Sequence, residues 1–227
     1  MGKVKKIEDI RTRPVRYFRL VSGLFLYALG VVISINADLG YAPWDVFHQG
    51  ISNITGLKIG TANVLVGLTI LAIGAFRGQR PGIGTISNML LIGNFVNLIM
   101  WADVLPIFSN LYIRILTLPI SLLIMSLGVY LYISSAFGAG PRDGVMIMLH
   151  ERTGRSITFV RNAIEMTALL VGYLLGGPVG IGTVILSLGT GYALEFVFKI
   201  FKFKTSDVEH SDWYDIIDAV SSFFQKK

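Results

Sequence analysis

Apolar residues run through this chain in six long stretches, 17–36, 59–76, 83–101, 115–135, 158–176 and 180–200, separated by short polar segments. At 1.5 Å per residue, each is long enough, or nearly so, to cross about 30 Å of hydrocarbon. Two of the intervening segments carry a pattern of their own. After Gly40 and Pro43, the residues Trp44, Phe47, Ile51 and Ile54 recur at helical spacing until Thr55-Gly56. From Pro141 to Thr153, Val145, Met148 and Leu149 form a similar stripe. Proline suits a first helical turn, where its missing N–H would be unpaired anyway. Each segment predicts a helix of about eleven residues, roughly 16 Å or half a membrane thickness. Such a helix lies in the interface or dips into the membrane as a re-entrant element.

These two segments are one pattern repeated. Gly40 to Asp45 and Gly138 to Asp143 share G-x-x-P-x-D at an offset of 98 residues. Without a gap, that offset also places Arg16 on Arg114, Leu20 on Leu118, Gly30 on Gly128 and Thr55-Gly56 on Thr153-Gly154. Gly74 falls on Gly172, Gly78 on Gly176, and the run Gly82-Ile83-Gly84-Thr85 on Gly180-Ile181-Gly182-Thr183. Residues that fix backbone shape dominate the matches. The chain therefore reads as two copies of one unit, 16–100 and 114–198. Residues 1–15 form a basic segment before them. In the polar tail, 201–227, Trp213, Ile216, Ile217, Val220 and Phe224 mark one face of a short amphipathic helix.

Composition places the repeats in a membrane: 53% of residues are hydrophobic and 15% charged, with mean hydropathy +0.64. The absence of cysteine excludes disulfides and thiolate metal sites. The net charge of +6 would suggest nucleic acid in a soluble chain. Here its distribution reports orientation instead. With the N-terminus in the cytoplasm, eighteen of the twenty basic residues face inside and only Lys58 and Arg114 face outside. Three spans per copy force the second copy to enter from the opposite face, and the loop charges invert accordingly. The expected fold is an all-α membrane protein of six transmembrane helices, arranged as two inverted three-helix repeats, each with an additional half-length helix. Both termini are expected in the cytoplasm.

No enzyme constellation is visible, and no cofactor or metal is expected. His48, His150 and His210 do not coincide under the offset, and none has a partner at metal-ligand spacing. The Gly-Ile-Gly-Thr runs lack the preceding strand and third glycine of a dinucleotide loop; Gly82, Gly84, Gly180 and Gly182 are expected at tight turns and close-packed helix starts. Gly74/Gly78 and Gly172/Gly176 repeat a spacing that lets two apolar helices approach closely.

Polar groups at membrane depth are the candidate chemistry, because they are costly there unless paired or hydrated. Arg161 and Glu165, four apart, share one helix face, and Asn63 occupies the position equivalent to Arg161. Asp45 and Asp143 each stand third in a proline-initiated helix. There a carboxylate stabilises the positive helix end by about 0.3–1 kcal/mol, which alone explains both. The alternative follows from inversion: two re-entrant helices starting from opposite faces bring their N-termini to one region, favouring an anionic or zwitterionic group. Asp45 and Asp143 then balance that field or bind a proton or cation, with Arg142 and the Arg161–Glu165 face adding asymmetry.

The run Ala37-Asp38-Leu39-Gly40-Tyr41-Ala42-Pro43-Trp44-Asp45 through Gly50 resembles the YczE-like branch of the YczE/YyaS/YitT bacterial integral membrane proteins. So does Phe137-Gly138-Ala139-Gly140-Pro141-Arg142-Asp143-Gly144, followed by Arg152-Thr153-Gly154. The resemblance covers roughly 16–200 and implies a multi-pass protein of the bacterial inner membrane; it supplies no settled activity. From the architecture, the expected function is a transporter or channel for a small polar or charged solute held between the repeats. A membrane scaffold acting through partner proteins is the alternative, and an intramembrane enzyme a third. The expected partners are the lipid bilayer and that solute; nucleic acid is not among them, and homo-oligomerisation is left open.

Overall fold

The computed structural model describes residues 2–76, 82–137 and 140–203, and these form eight helices. They are α1 (Gly2–Asn36), α2 (Pro43–Thr55), α3 (Ile59–Phe76), α4 (Ile83–Ala102), α5 (Leu111–Ser134), α6 (Pro141–Thr153), α7 (Ile157–Leu174) and α8 (Ile181–Ile200). Among the described residues, five helical stretches are long and apolar enough to cross a membrane: Pro14–Asn36, Ile59–Phe76, Gly84–Ala102, Leu111–Ser134 and Ile181–Ile200. The basic N-terminal segment continues α1 upstream through Pro14 to Gly2. Residues joined to a helix already nucleated need no nucleus of their own. The amphipathic tail helix, Gly78 and Gly138 lie outside the described residues.

Both expected half-length helices form, each 13 residues long. Their C-termini are built alike. Thr55 Oγ1 donates to the Ile51 carbonyl and Thr153 Oγ1 to the Leu149 carbonyl, both at 2.7 Å. Gly56 and Gly154 follow at φ +72° and +64° with open space around them, so glycine is needed there for its backbone conformation.

The centre of the fold is α1 packed antiparallel on α5. Leu20, Leu24, Ala28, Val31 and Ile35 make the buried stripe of α1, which meets Met125 and Tyr132 of α5 and Ile92, Val96 and Ile99 of α4. Small residues bring the two backbones together: a Cβ on Gly128 would stand 2.6 Å from the Gly23 carbonyl oxygen, and one on Gly30 2.9 Å from that of Ser121. An arginine closes each end. Arg16 Nε donates to the Ser135 carbonyl at 2.9 Å and Arg114 Nε to the Ala37 carbonyl at 2.6 Å. Their terminal nitrogens reach the next carbonyls, those of Ala136 and Asp38, both left-handed residues (φ +61° and +49°). Under the 98-residue offset, Arg16 corresponds to Arg114, Ala37 to Ser135 and Asp38 to Ala136. Each copy's arginine thus satisfies the open carbonyls at the end of the other copy's first long helix. Residues 16 and 37 are twenty-one apart on α1, about 32 Å and close to the hydrocarbon thickness.

The remaining helices follow the same reciprocity. α4 lies on α1 and α8 on α5. The half-length helices cross between copies, α2 packing on α7 as well as α3, and α6 on α3 as well as α7. Their leading loops dock on the other copy's Gly-Ile-Gly-Thr run: Gly182 N donates to the Leu39 carbonyl and Gly84 N to the Phe137 carbonyl, both at 2.7 Å. Gly40, at φ +100°, lies so close to Gly180 that an added Cβ would stand 2.4 Å from its nitrogen. The glycine spacing on α7 serves α2: Gly172 abuts the backbone of Val46 and Phe47, and a Cβ on Gly50 would meet the Gly172 carbonyl. Gly176 ends the helix in the left-handed region, its carbonyl accepting from Asn53 Nδ2 at 2.7 Å. In the first copy Gly74 is buried within α3.

Candidate functional site

The N-termini of α2 and α6 meet inside the fold, and the second residue of each makes the contact. The Arg142 guanidinium lies 4.2 Å from the centre of the Trp44 ring. Trp44 and Arg142 occupy equivalent positions under the offset, so the one motif position that changes from aromatic to cationic is where the copies touch. A desolvated cation–π pair of this kind contributes about 2 kcal/mol. Arg142 also reaches His48 Nε2 and Asn63 Oδ1, both at 3.3 Å. His48 in turn presents Nδ1 to Asp45 Oδ1 at 3.6 Å, one helical turn earlier on α2. The cluster therefore reads Asp45, His48, Arg142, Asn63, from α2 through α6 to α3.

Geometry fixes the imidazole's role. Arginine can only donate, so His48 Nε2 accepts and its proton sits on Nδ1, facing the carboxylate. His48 is 1% exposed and Asp45 13%. The neutral imidazole is thus the form that fits, held between a cation and an anion. Among the described residues, no buried side-chain nitrogen or oxygen lacks a hydrogen-bond partner. Tyr27 of α1, half-buried, lies within electrostatic reach of Arg142, Asp45, Arg161 and Glu165. It is eleven residues from the Arg16 clamp and ten from the Arg114 clamp, which puts it midway between the two ends of the α1–α5 pair.

Of the residues singled out in the sequence, Asp45, Arg142 and Asn63 are brought together. Arg161 and Glu165 bond each other on α7, Nε to Oε1 at 3.1 Å, partly exposed and without joining the cluster. Glu195 and Lys199, at the same spacing on α8, form no ion pair among the described residues. Asp143 stands third in α6, and its side chain lies outside the described residues. Three participants escaped the sequence reading. The spacing Asp45-x-x-His48 puts both on one helix face, a signal that metal-ligand spacing alone passes over. Trp44 belongs to an apolar stripe, and Tyr27 carries no local signal. Among the described residues, no group of three or more histidine or carboxylate side chains is arranged to hold a metal.

What this arrangement defines is an all-helical membrane protein with a buried polar cluster where two half-length helices meet. The chain belongs to the family of unknown function DUF6198, whose model matches residues 14–199. It is similar to the uncharacterized membrane protein YczE of Bacillus subtilis (strain 168), 34% identical over 83% of this chain and 86% of the relative. An uncharacterized protein of Haemophilus influenzae is 32% identical over 80% of this chain and 82% of the relative. The uncharacterized protein YyaS of Bacillus subtilis is 26% identical over 81% and 92%. The resemblance read from the paired motifs is thereby established. No solved structure matches the chain.

Proposed function

We propose that this protein is a transporter or channel of the bacterial inner membrane, carrying a small anionic or zwitterionic solute between two inverted repeats. The observation that carries the reading is the meeting of Trp44 and Arg142, at equivalent positions of two half-length helices. Two helix N-termini and one guanidinium make a region of positive potential at the depth where an ion is hardest to place. Asp45, linked to Arg142 through the neutral His48, balances that cation when no solute is present. Arg142 and Asn63 bind the solute's negative group, Asp143 balances the α6 end, and the Arg161–Glu165 pair flanks the route.

Inversion is supported by the reciprocal contacts. α1 and α5 run antiparallel and exchange equivalent bonds, which calls for a two-fold axis across both. If both helices span, that axis lies in the membrane plane. α7 then serves as the sixth span, and the basic loops put both termini in the cytoplasm.

Purified protein in proteoliposomes on a solid-supported membrane, challenged with phosphate, small carboxylates and amino acids, tests the reading. At least one class should give currents that Arg142→Gln and Asp143→Asn abolish, while Asp143→Asn keeps wild-type thermal stability and Arg142→Gln loses no more than the about 2 kcal/mol of its contact with Trp44. Absence of current with every class, or full current in Arg142→Gln, would overturn it. The scaffold reading predicts the first result.

A further inference from the structure

Behind Trp44, on the side away from α1 and α5, the fold contains a cavity of about 770 Å³. Its walls are α3 and α7, with α2 and α6 completing them, and they match under the repeat: Leu65 with Ala163, Thr69 with Thr167, Ile51 with Leu149. The cavity therefore lies on the line relating the two copies, with Trp44 in its lining. Its lining is apolar apart from threonines and one charge. Thr69, Thr167 and Thr153 each donate their hydroxyl to their own helix, four residues back, and offer no free donor to a guest. No carboxylate lines it. Leu65, Thr69, Ala163, Thr167 and Val171 are exposed along its rim, so it opens sideways between α3 and α7 rather than toward either end.

An apolar recess that opens sideways from a membrane-spanning bundle faces hydrocarbon. Water gains nothing there, because it needs polar partners that this lining does not provide. An empty recess forfeits the dispersion contacts of its walls. The one cation is Arg155, which stands in the loop before α7 and lies 5.5 Å from the Phe159 ring centre. Its loop is tied to α6 by a 2.6 Å hydrogen bond between His150 Nδ1 and the Arg155 carbonyl. The other copy has Leu57 at this position, so charge marks one mouth only. From Phe159 to Val171 the α7 wall runs about 18 Å, well over half the hydrocarbon thickness.

From this geometry we infer that the cavity is a lipid site: one acyl chain of an anionic phospholipid lies between α3 and α7 and ends against Trp44, with its headgroup on Arg155. The chain supplies the apolar filling, and the phosphate supplies the partner for the only charge at the mouth. The site goes beyond the transport reading and does not depend on it. It also places a bilayer component against the aromatic ring that carries Arg142.

Trp44 is the reporter. A chain with Trp101→Phe and Trp213→Phe retains Trp44 as its single tryptophan. In phosphatidylcholine vesicles doped with phosphatidylglycerol brominated at mid-chain, Trp44 emission should be quenched. It should respond to about fivefold less brominated phosphatidylglycerol than brominated phosphatidylcholine, the preference one arginine at the surface provides. Arg155→Gln should remove that preference and leave quenching by both lipids. Ala163→Phe, which fills the groove, should diminish quenching by both. Should the double-phenylalanine chain fold poorly, native mass spectrometry of wild-type protein after delipidation gives a second measure: phosphatidylglycerol should be retained and Arg155→Gln should lose it. Unquenched Trp44 with both lipids would overturn the inference and assign the face to a second copy of the chain. Equal quenching by both in the wild-type background, or no retained phospholipid, would overturn it too.

Discussion

The two copies of the repeat keep their backbone contacts and part company in their side chains. Arg16 and Arg114, the docked loops at Leu39 and Phe137, and the helix ends at Gly56 and Gly154 make the same hydrogen bonds at equivalent positions. Near the line relating the copies the residues diverge: Trp44 against Arg142, His48 against Met146, Asn63 against Arg161. That divergence has a physical reason. Residues at equivalent positions close to a two-fold axis meet each other, so a repeated arginine would face its own like charge. Pairing tryptophan with arginine turns that encounter into an attraction. Shape can be symmetric where the backbone sets it; a single buried charge cannot.

The second difference lies at the last helix of each copy. α3 and α4 are closed by Gly60 against Gly93 and by Asn97, which donates to Thr61 Oγ1 and accepts from Gly60 N, both at 3.0 Å. Thr158 and Glu195 stand at the equivalents of Gly60 and Asn97. Gly191, the counterpart of Gly93, meets nothing within 4 Å, and α7 and α8 share no such seam among the described residues. One copy is thus sealed where the other is open.

The largest effect should come from substituting that glycine pair. A side chain on Gly93 would stand 2.3 Å from the Gly60 carbonyl oxygen, so Gly93→Val should cost about 3 kcal/mol or more and prevent a monodisperse species on size exclusion. Gly191→Val should elute and melt as wild type. Equal damage from both would mean that α7 and α8 close in the membrane.

Next in size is Trp44→Arg. It removes a stacking contribution of about 2 kcal/mol and adds a second cation beside the first. Adding Arg142→Trp to it restores the pair with its members exchanged. Thermal stability should recover in the double variant while transport does not, since His48 and Asp45 remain on α2. Recovery of both would show that the asymmetry of the cluster is incidental.

The arginine clamps come third. Arg16→Ala and Arg114→Ala should each lower stability by about 2 kcal/mol, the scale of charged hydrogen bonds to buried carbonyls, and by similar amounts in a thermal scan. The smallest effect belongs to Asp38→Asn. Its carboxylate pairs with Arg114 at 2.9 Å but is 76% exposed, so the loss should stay below about 1 kcal/mol. A larger loss would move the clamp's strength from the carbonyls to the ion pair.

Much of this fold could be read in the chain because the 98-residue offset repeats the residues that fix the backbone. Arg16 over Arg114 and Thr55-Gly56 over Thr153-Gly154 are visible as matches in the sequence itself. What those matches do was not visible. A clamp from Arg16 to Ser135 joins residues 119 apart, and no local spacing encodes such a distance. The Gly172 spacing suggested two long helices in close approach; the actual partner is the half-length helix α2, a choice that only tertiary packing makes. The site was legible in half. Asp45, Arg142 and Asn63 stood out as polar groups in apolar surroundings, while His48 and Trp44 were hidden because their importance comes from residues on another helix.

Single cysteines at equivalent positions test the inverted orientation of the copies directly. Leu57→Cys and Arg155→Cys differ by the 98-residue offset, and both positions are exposed. In intact cells, an impermeant maleimide should label Leu57→Cys, and it should label Arg155→Cys only after the membrane is permeabilised. Labelling of both in intact cells, or of neither, would place the copies in the same orientation and contradict the account.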